Sequence, residues 1–280
     1  MKQIFLFVLA AVTLGMAACN TSGTNSKKKI TIGYVNWAEG VAMTYLAKNI
    51  LEQKGYEVTL KNADVAPIFA AVAGGDADIF LDAWMPVTHQ RYMERFGLQL
   101  TVLNTAFEGA RIGLVVPDYV NIHSIAELNA AKDKFNRHIV GIDAGAGIMG
   151  KAEDAVKAYG LDYELQASSE AAMMAILKKS IDEKQPIVIT GWAPHWMFSR
   201  YQLRFLDDPQ QIFGATEKIQ IIANNEFSVT DTVAVPFFRK FQLNSEQLGS
   251  LMGALAETDG DENTAVKNWM QQHQELVDKW

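Results

Sequence analysis

Three tryptophans occupy matching places along the chain: Trp37 follows KITIGYV (29–35), Trp84 closes ADIFLDAW (77–84) and Trp192 closes PIVITGW (186–192). Each segment reads as a β-strand, so each indole stands at the carboxyl end of a strand. In open parallel sheets ligands bind in the crevice beyond those ends, which directs the three rings to one cleft. Several indole faces around one point are poor for an anion and good for a cation that donates no hydrogen bonds. That describes a quaternary ammonium, whose methyl-covered charge is mildly hydrated and gains on the order of 2 kcal/mol from each desolvated ring. Taken singly, an aromatic at a strand end is more often core; the repetition of the position carries the reading. Trp196, Trp269 and Trp280 lie in or beside helical segments and read as packing residues.

A site for the opposite charge is offered by AGAGIMG (144–150), between the strand HIVGID (138–143) and a helix expected to begin near Lys151. Its glycines allow close backbone approach, and the N–H groups of Gly147 and Ile148 near a helix N-terminus suit a carboxylate. Gly145, Gly147 and Gly150 also spell GxGxxG, the dinucleotide fingerprint, but outside the first βαβ unit where that motif has its meaning. His89, five residues after Trp84, is placed to donate a hydrogen bond into the crevice, and His195 in GWAPHW is a second possibility. Neither belongs to a HExxH or Ser-His-Asp signature, and the single cysteine lies in no zinc-type spacing. No catalytic constellation, metal or cofactor is expected.

The elements that must position these residues alternate. A strand at 29–35, apolar residues at helical spacing from Glu39 to Gln53 and the strand EVTL (57–60) form a β-α-β unit. Pro67 suits a first helical turn, and that helix should stop at Gly74 and Gly75 before the strand ending in Trp84. A second set starts with the strand ARIGLVVP (110–117) and a helix whose Ser124 and Glu127 fit a capping box. It continues through HIVGID, the helix KAEDAVKAYG (151–160) and PIVITGW. A strand EKIQIIA and helices from about 244 to 279 follow. The expected architecture is α/β, with mostly parallel sheets in two lobes, 29–107 plus 215–280 and 108–214, joined by two crossing segments. A length of 280 residues suits about two such units.

The 32 acidic against 25 basic residues give a net charge of −7, which repels a phosphate backbone and excludes nucleic acid as partner. At the N-terminus a lysine precedes the run IFLFVLAAVTLGMAA, of signal-peptide length and too short to span a membrane stably. The run ends at Cys19 after Ala17 and Ala18, which resembles a bacterial lipobox and implies a signal peptide over 1–18 and lipidation of Cys19. Residues 19–28 then read as a polar tether to the membrane surface.

YVNWAE, DADIFLDAWMPVTH, AGAGI and TGWAPHWMF together resemble the glycine betaine substrate-binding proteins of ABC importers, of the OpuAC type. The resemblance runs from about residue 29 to the C-terminus and implies a type II periplasmic-binding fold closing on its ligand by hinge motion. It implies a trimethylammonium cage of Trp37, Trp84 and Trp192, with the ligand carboxylate held by the Gly147 and Ile148 amides and His89. Glycine betaine is the expected ligand, proline betaine next, and a membrane permease the expected partner. Choline lacks the carboxylate and should bind worse. The rival readings are a binder of choline, carnitine or an amino acid, and an exported enzyme acting on a small zwitterion.

Overall fold

The computed structural model describes residues 28–258 and 260–280. The expected signal peptide (1–18), Cys19 and the tether up to residue 27 lie outside the described residues. Lys28, assigned above to the tether, opens the first strand instead and pairs with Tyr56.

The first sheet is built from β1 (Lys28–Tyr34), β2 (Tyr56–Asn62) and β3 (Ile79–Met85), with β1 parallel to both neighbours. Helix α1 (Ala38–Gln53) connects β1 to β2, α2 (Val65–Gly74) connects β2 to β3, and α3 (Gln90–Phe96) follows. The core side of β1 carries Ile30 and Ile32, both buried. Helix α2 stops where expected, because Gly75 takes the left-handed conformation (φ 80°) that glycine adopts without a Cβ penalty.

Strand β4 runs from Leu100 to Pro117, starting ten residues before the expected ARIGLVVP. Its first half was hidden because Thr101, Asn104, Thr105 and Gly109 break the alternation. The structure absorbs them in three register shifts against β9, the last between Glu108 and Ala110. Through Ala110 the strand pairs with β9 (Glu217–Asn224); from Arg111 it pairs with β7 (Ile189–Ala193). One strand thus passes from the first sheet into the second. The second sheet adds β5 (His138–Val140) and β6 (Glu164–Gln166), parallel to each other, with β7 parallel to β5 and β8 (Leu203–Phe205) beside β4. Helices α4 (Gly147–Ala158) and α5 (Glu170–Asp182) belong to this half.

The sheets are mixed rather than mostly parallel as expected: β1 is parallel to β2 and β3, and β5 to β6 and β7, whereas β9 lies antiparallel to both β3 and β4, and β4 antiparallel to β7 and β8. After β9 the chain stays with the first lobe: the helices Ser245–Ala256 and Glu262–Gln272 pack on α1. Trp269 is buried there and donates to Ser250, and Trp280 packs on Phe241, so both are packing residues as expected. The Ser124 segment differs from its expectation. It forms the 3-10 helix Ile125–Phe135, and Glu127 accepts from His123 N–H rather than from the cap residue itself.

Candidate ligand-binding site

Trp37, Trp84, Trp192, His89, Gly147 and Ile148 line a single small cavity between the lobes. Trp37 is the extended residue that precedes α1, while Trp84 and Trp192 are the penultimate residues of β3 and β7. All three are buried.

Each indole is fixed by its edge. Trp84 Nε1 donates to Asp82 Oδ1 at 2.8 Å, Trp192 Nε1 to Glu39 Oε2 at 2.7 Å and Trp37 Nε1 to Asp143 Oδ2 at 3.3 Å. A hydrogen bond at the ring edge fixes orientation and leaves the ring faces to make other contacts. The Trp37 and Trp192 bonds cross the cleft and exist only with the lobes together.

The three carboxylates were missed in the sequence, although DAW (82–84) and WAE (37–39) place an acid two residues from an indole. Even that signal mispairs one of them, because Glu39 serves Trp192 of the other lobe and not the nearby Trp37. Burial drives the Glu39 carboxyl well above the usual carboxylate range, with Asp82 and Glu170 adding repulsion. Burial likewise pushes Asp82 up to about 8, the Trp84 hydrogen bond opposing and the Glu170 charge assisting. The raised pKa favours the protonated form of Asp82, whose Oδ2 has no hydrogen-bond partner among the described residues.

His89 is fully buried, and its Nδ1 accepts the backbone N–H of Trp84 at 3.0 Å. Burial, then the nearby Arg91, lowers its pKa to about 3, so the ring is neutral. With Nδ1 an acceptor, the proton is on Nε2, which has no partner among the described residues. A buried donor without an acceptor is costly unless a ligand supplies one.

Helix α4 begins at Gly147, four residues before the expected start, so Gly147 and Ile148 are its first two helical residues. Their N–H groups have no intrahelical acceptor and carry the positive end of the helix dipole. Gly147 is demanded by proximity: a Cβ there would lie 2.1 Å from the carbonyl oxygen of Thr88 across the cleft. Nearby, Tyr92 Oη and Arg91 Nη2 both donate to Gly145 O at 2.7 Å, adding contacts between the lobes.

His195 is not part of the cavity lining. Its Nδ1 accepts from Met197 N–H at 3.0 Å, its Nε2 faces Glu170 Oε1 at 3.0 Å, and its ring stands edge-on to Trp192. Trp196 packs beside it, half-buried.

Residues 28–272 match the family model described as the substrate binding domain of the ABC-type glycine betaine transport system, OpuAC. The glycine betaine/carnitine transport binding protein GbuC of Listeria monocytogenes is 40% identical over 164 residues, 56% of this chain. That match spans about half of the relative's length, 54%. Lactococcal OpuAC, in its closed conformation complexed with glycine betaine, superimposes with a TM-score of 0.86 at 34% identity, covering 90% of this chain and 99% of that one. The glycine/betaine/L-proline-binding protein ProX of Borrelia burgdorferi gives 0.87 at 34% identity, covering 90% and 96%. The two lobes, the cleft and the two crossings are those of the type II periplasmic-binding fold. With the family model matched over nearly the whole described chain, this protein belongs to the OpuAC family of substrate-binding domains of ABC-type glycine betaine transporters.

Proposed function

We propose that this chain captures glycine betaine outside the cytoplasm and delivers it to the permease of an ABC importer, with proline betaine as a second ligand. One observation supports the reading: three indoles, the first two residues of α4 and His89, whose Nε2–H has no partner among the described residues, line one small cavity. The rings replace the weak hydration of a trimethylammonium, and the N–H groups hold a carboxylate one methylene away. It acts as a binder and not as an enzyme, in keeping with a family of transport domains.

In the open form Trp37 and Trp84 belong to one lobe and Trp192, Gly147 and Ile148 to the other. The ligand bridges them and favours closure through contacts made only in the closed state. We assign lobe boundaries of 29–107 plus 215–280 and 108–214, with the hinge at the two crossings. Gly109 (φ 83°) and Gly214 (φ 75°), both left-handed, flank those points and support the assignment. The mature chain is exported and anchored through a lipid on Cys19. Its mass tests this, since an unmodified Cys19 or cleavage elsewhere contradicts the anchor.

Thermal unfolding with a ligand panel tests the function, because a ligand of the folded state alone raises the apparent stability. Glycine betaine should raise the midpoint most and proline betaine next. Choline should do less, since it leaves His89 Nε2–H and the α4 amides unpaired. A larger shift with choline or carnitine, or none with any betaine, contradicts the proposal.

A further inference from the structure

Glu170 is a buried carboxylate outside the cavity, and both its oxygens are in use. Oε1 receives His195 Nε2–H at 3.0 Å, the proton being placed on Nε2 because Nδ1 accepts from Met197. Oε2 receives the backbone N–H of Ala38 at 3.0 Å, across the cleft. Ala38 is the first residue of α1, so its N–H has no intrahelical acceptor and lies at the positive end of that helix. A carboxylate from the second lobe thus caps a helix of the first, beside Trp37.

We propose that Glu170, oriented by His195, is a positioning residue for ligand retention: it latches the closed lobes by capping α1 and thereby holds Trp37 over the ligand. This rests on the binding function proposed above. Of the two bonds Glu170 makes, opening breaks the one to Ala38 and leaves the one to His195 intact. The latch therefore acts on the escape of ligand and little on its entry, because entry begins from the open form.

The chemistry makes glutamine a sharp probe. Two donors, His195 Nε2–H and Ala38 N–H, converge on residue 170, and an amide offers one oxygen and one NH₂ group. Glu170→Gln can serve only one of them. Ala38→Pro deletes the other partner at a helix position that tolerates proline, after a residue already extended (Trp37 φ −109°, ψ 144°).

The test is stopped-flow tryptophan fluorescence of glycine betaine association with, and release from, the full mature protein. Glu170→Gln should speed release on the order of tenfold, as expected for a bond to a charged group, while association changes by less than about twofold. The ligand-free melting midpoint should stay at the wild-type value. Ala38→Pro should speed release similarly, and the double variant should release no faster than the worse single one. Wild-type release rates in Glu170→Gln, fully additive effects, or an equal loss of stability without ligand would overturn the latch. If the wild-type chain itself takes up no glycine betaine, the proposed function fails first, and the two failures are told apart by that control.

Discussion

Gly147→Ala is expected to lower glycine betaine affinity by about a hundredfold or more while leaving the ligand-free protein as stable as the parent. The added Cβ would stand 2.1 Å from Thr88 O, far inside any real contact. Thr88 cannot give way, because the buried Glu217 grips it: Oε2 accepts the backbone N–H groups of Val87 and Thr88 at 2.8 Å each, and Oε1 accepts the Thr88 hydroxyl. Gly147 is fixed in turn as the first residue of α4. The strain is relieved only by parting the lobes, so the closed state bears it alone. An overpacking cost of about 3 kcal/mol corresponds to roughly a hundredfold in affinity. Calorimetry measures the loss, and X-ray scattering with saturating betaine should show the variant remaining open. Near-normal affinity would mean that the helix N-terminus and Thr88 do not meet in the bound form.

Trp84→Ala should weaken glycine betaine binding roughly 30-fold, the equivalent of about 2 kcal/mol for one desolvated ring. The substitution also strips Asp82 of its only hydrogen-bond partner among the described residues in a buried place, so folding suffers as well as binding. Trp84→Phe loses the same Nε1 donor but keeps a ring face and most of the buried volume, and should retain more affinity than alanine at a smaller cost in stability. Both are read by calorimetry on protein shown to be folded by its melting transition. Unchanged affinity in Trp84→Ala would exclude that ring from the site.

The cleft was legible in the sequence because its parts recur at one topological position, and strand ends can be read from apolar runs before glycine and proline. The three indoles, the Gly147–Ile148 pair and His89 do line one cavity. What could not be read was everything that depends on contact between distant segments. Glu39 finds Trp192 153 residues away and Asp143 finds Trp37 106 residues away, pairings that no local pattern encodes. The early half of β4 was lost because its irregular residues are accommodated by bulges against β9, a partner more than a hundred residues later. The start of α4 was set too late for a related reason. Glycines read as a loop, yet here Gly147 serves a close approach across the cleft and is already helical. His195 looked like a ligand group by its neighbours Trp192 and Trp196, and its actual partner, Glu170, is identified only in three dimensions.

The cage claim is tested most directly by its charge. Glycine betaine and 3,3-dimethylbutanoate have the same carboxylate, the same single methylene and nearly the same volume, differing in a positive nitrogen against a neutral quaternary carbon. If indole quadrupoles hold the cation, calorimetric titration of the wild-type protein should find the carbon isostere weaker by well over about 30-fold, since more than one ring contributes. Equal affinity for the two compounds would show that the pocket selects shape and carboxylate alone, and would contradict the account.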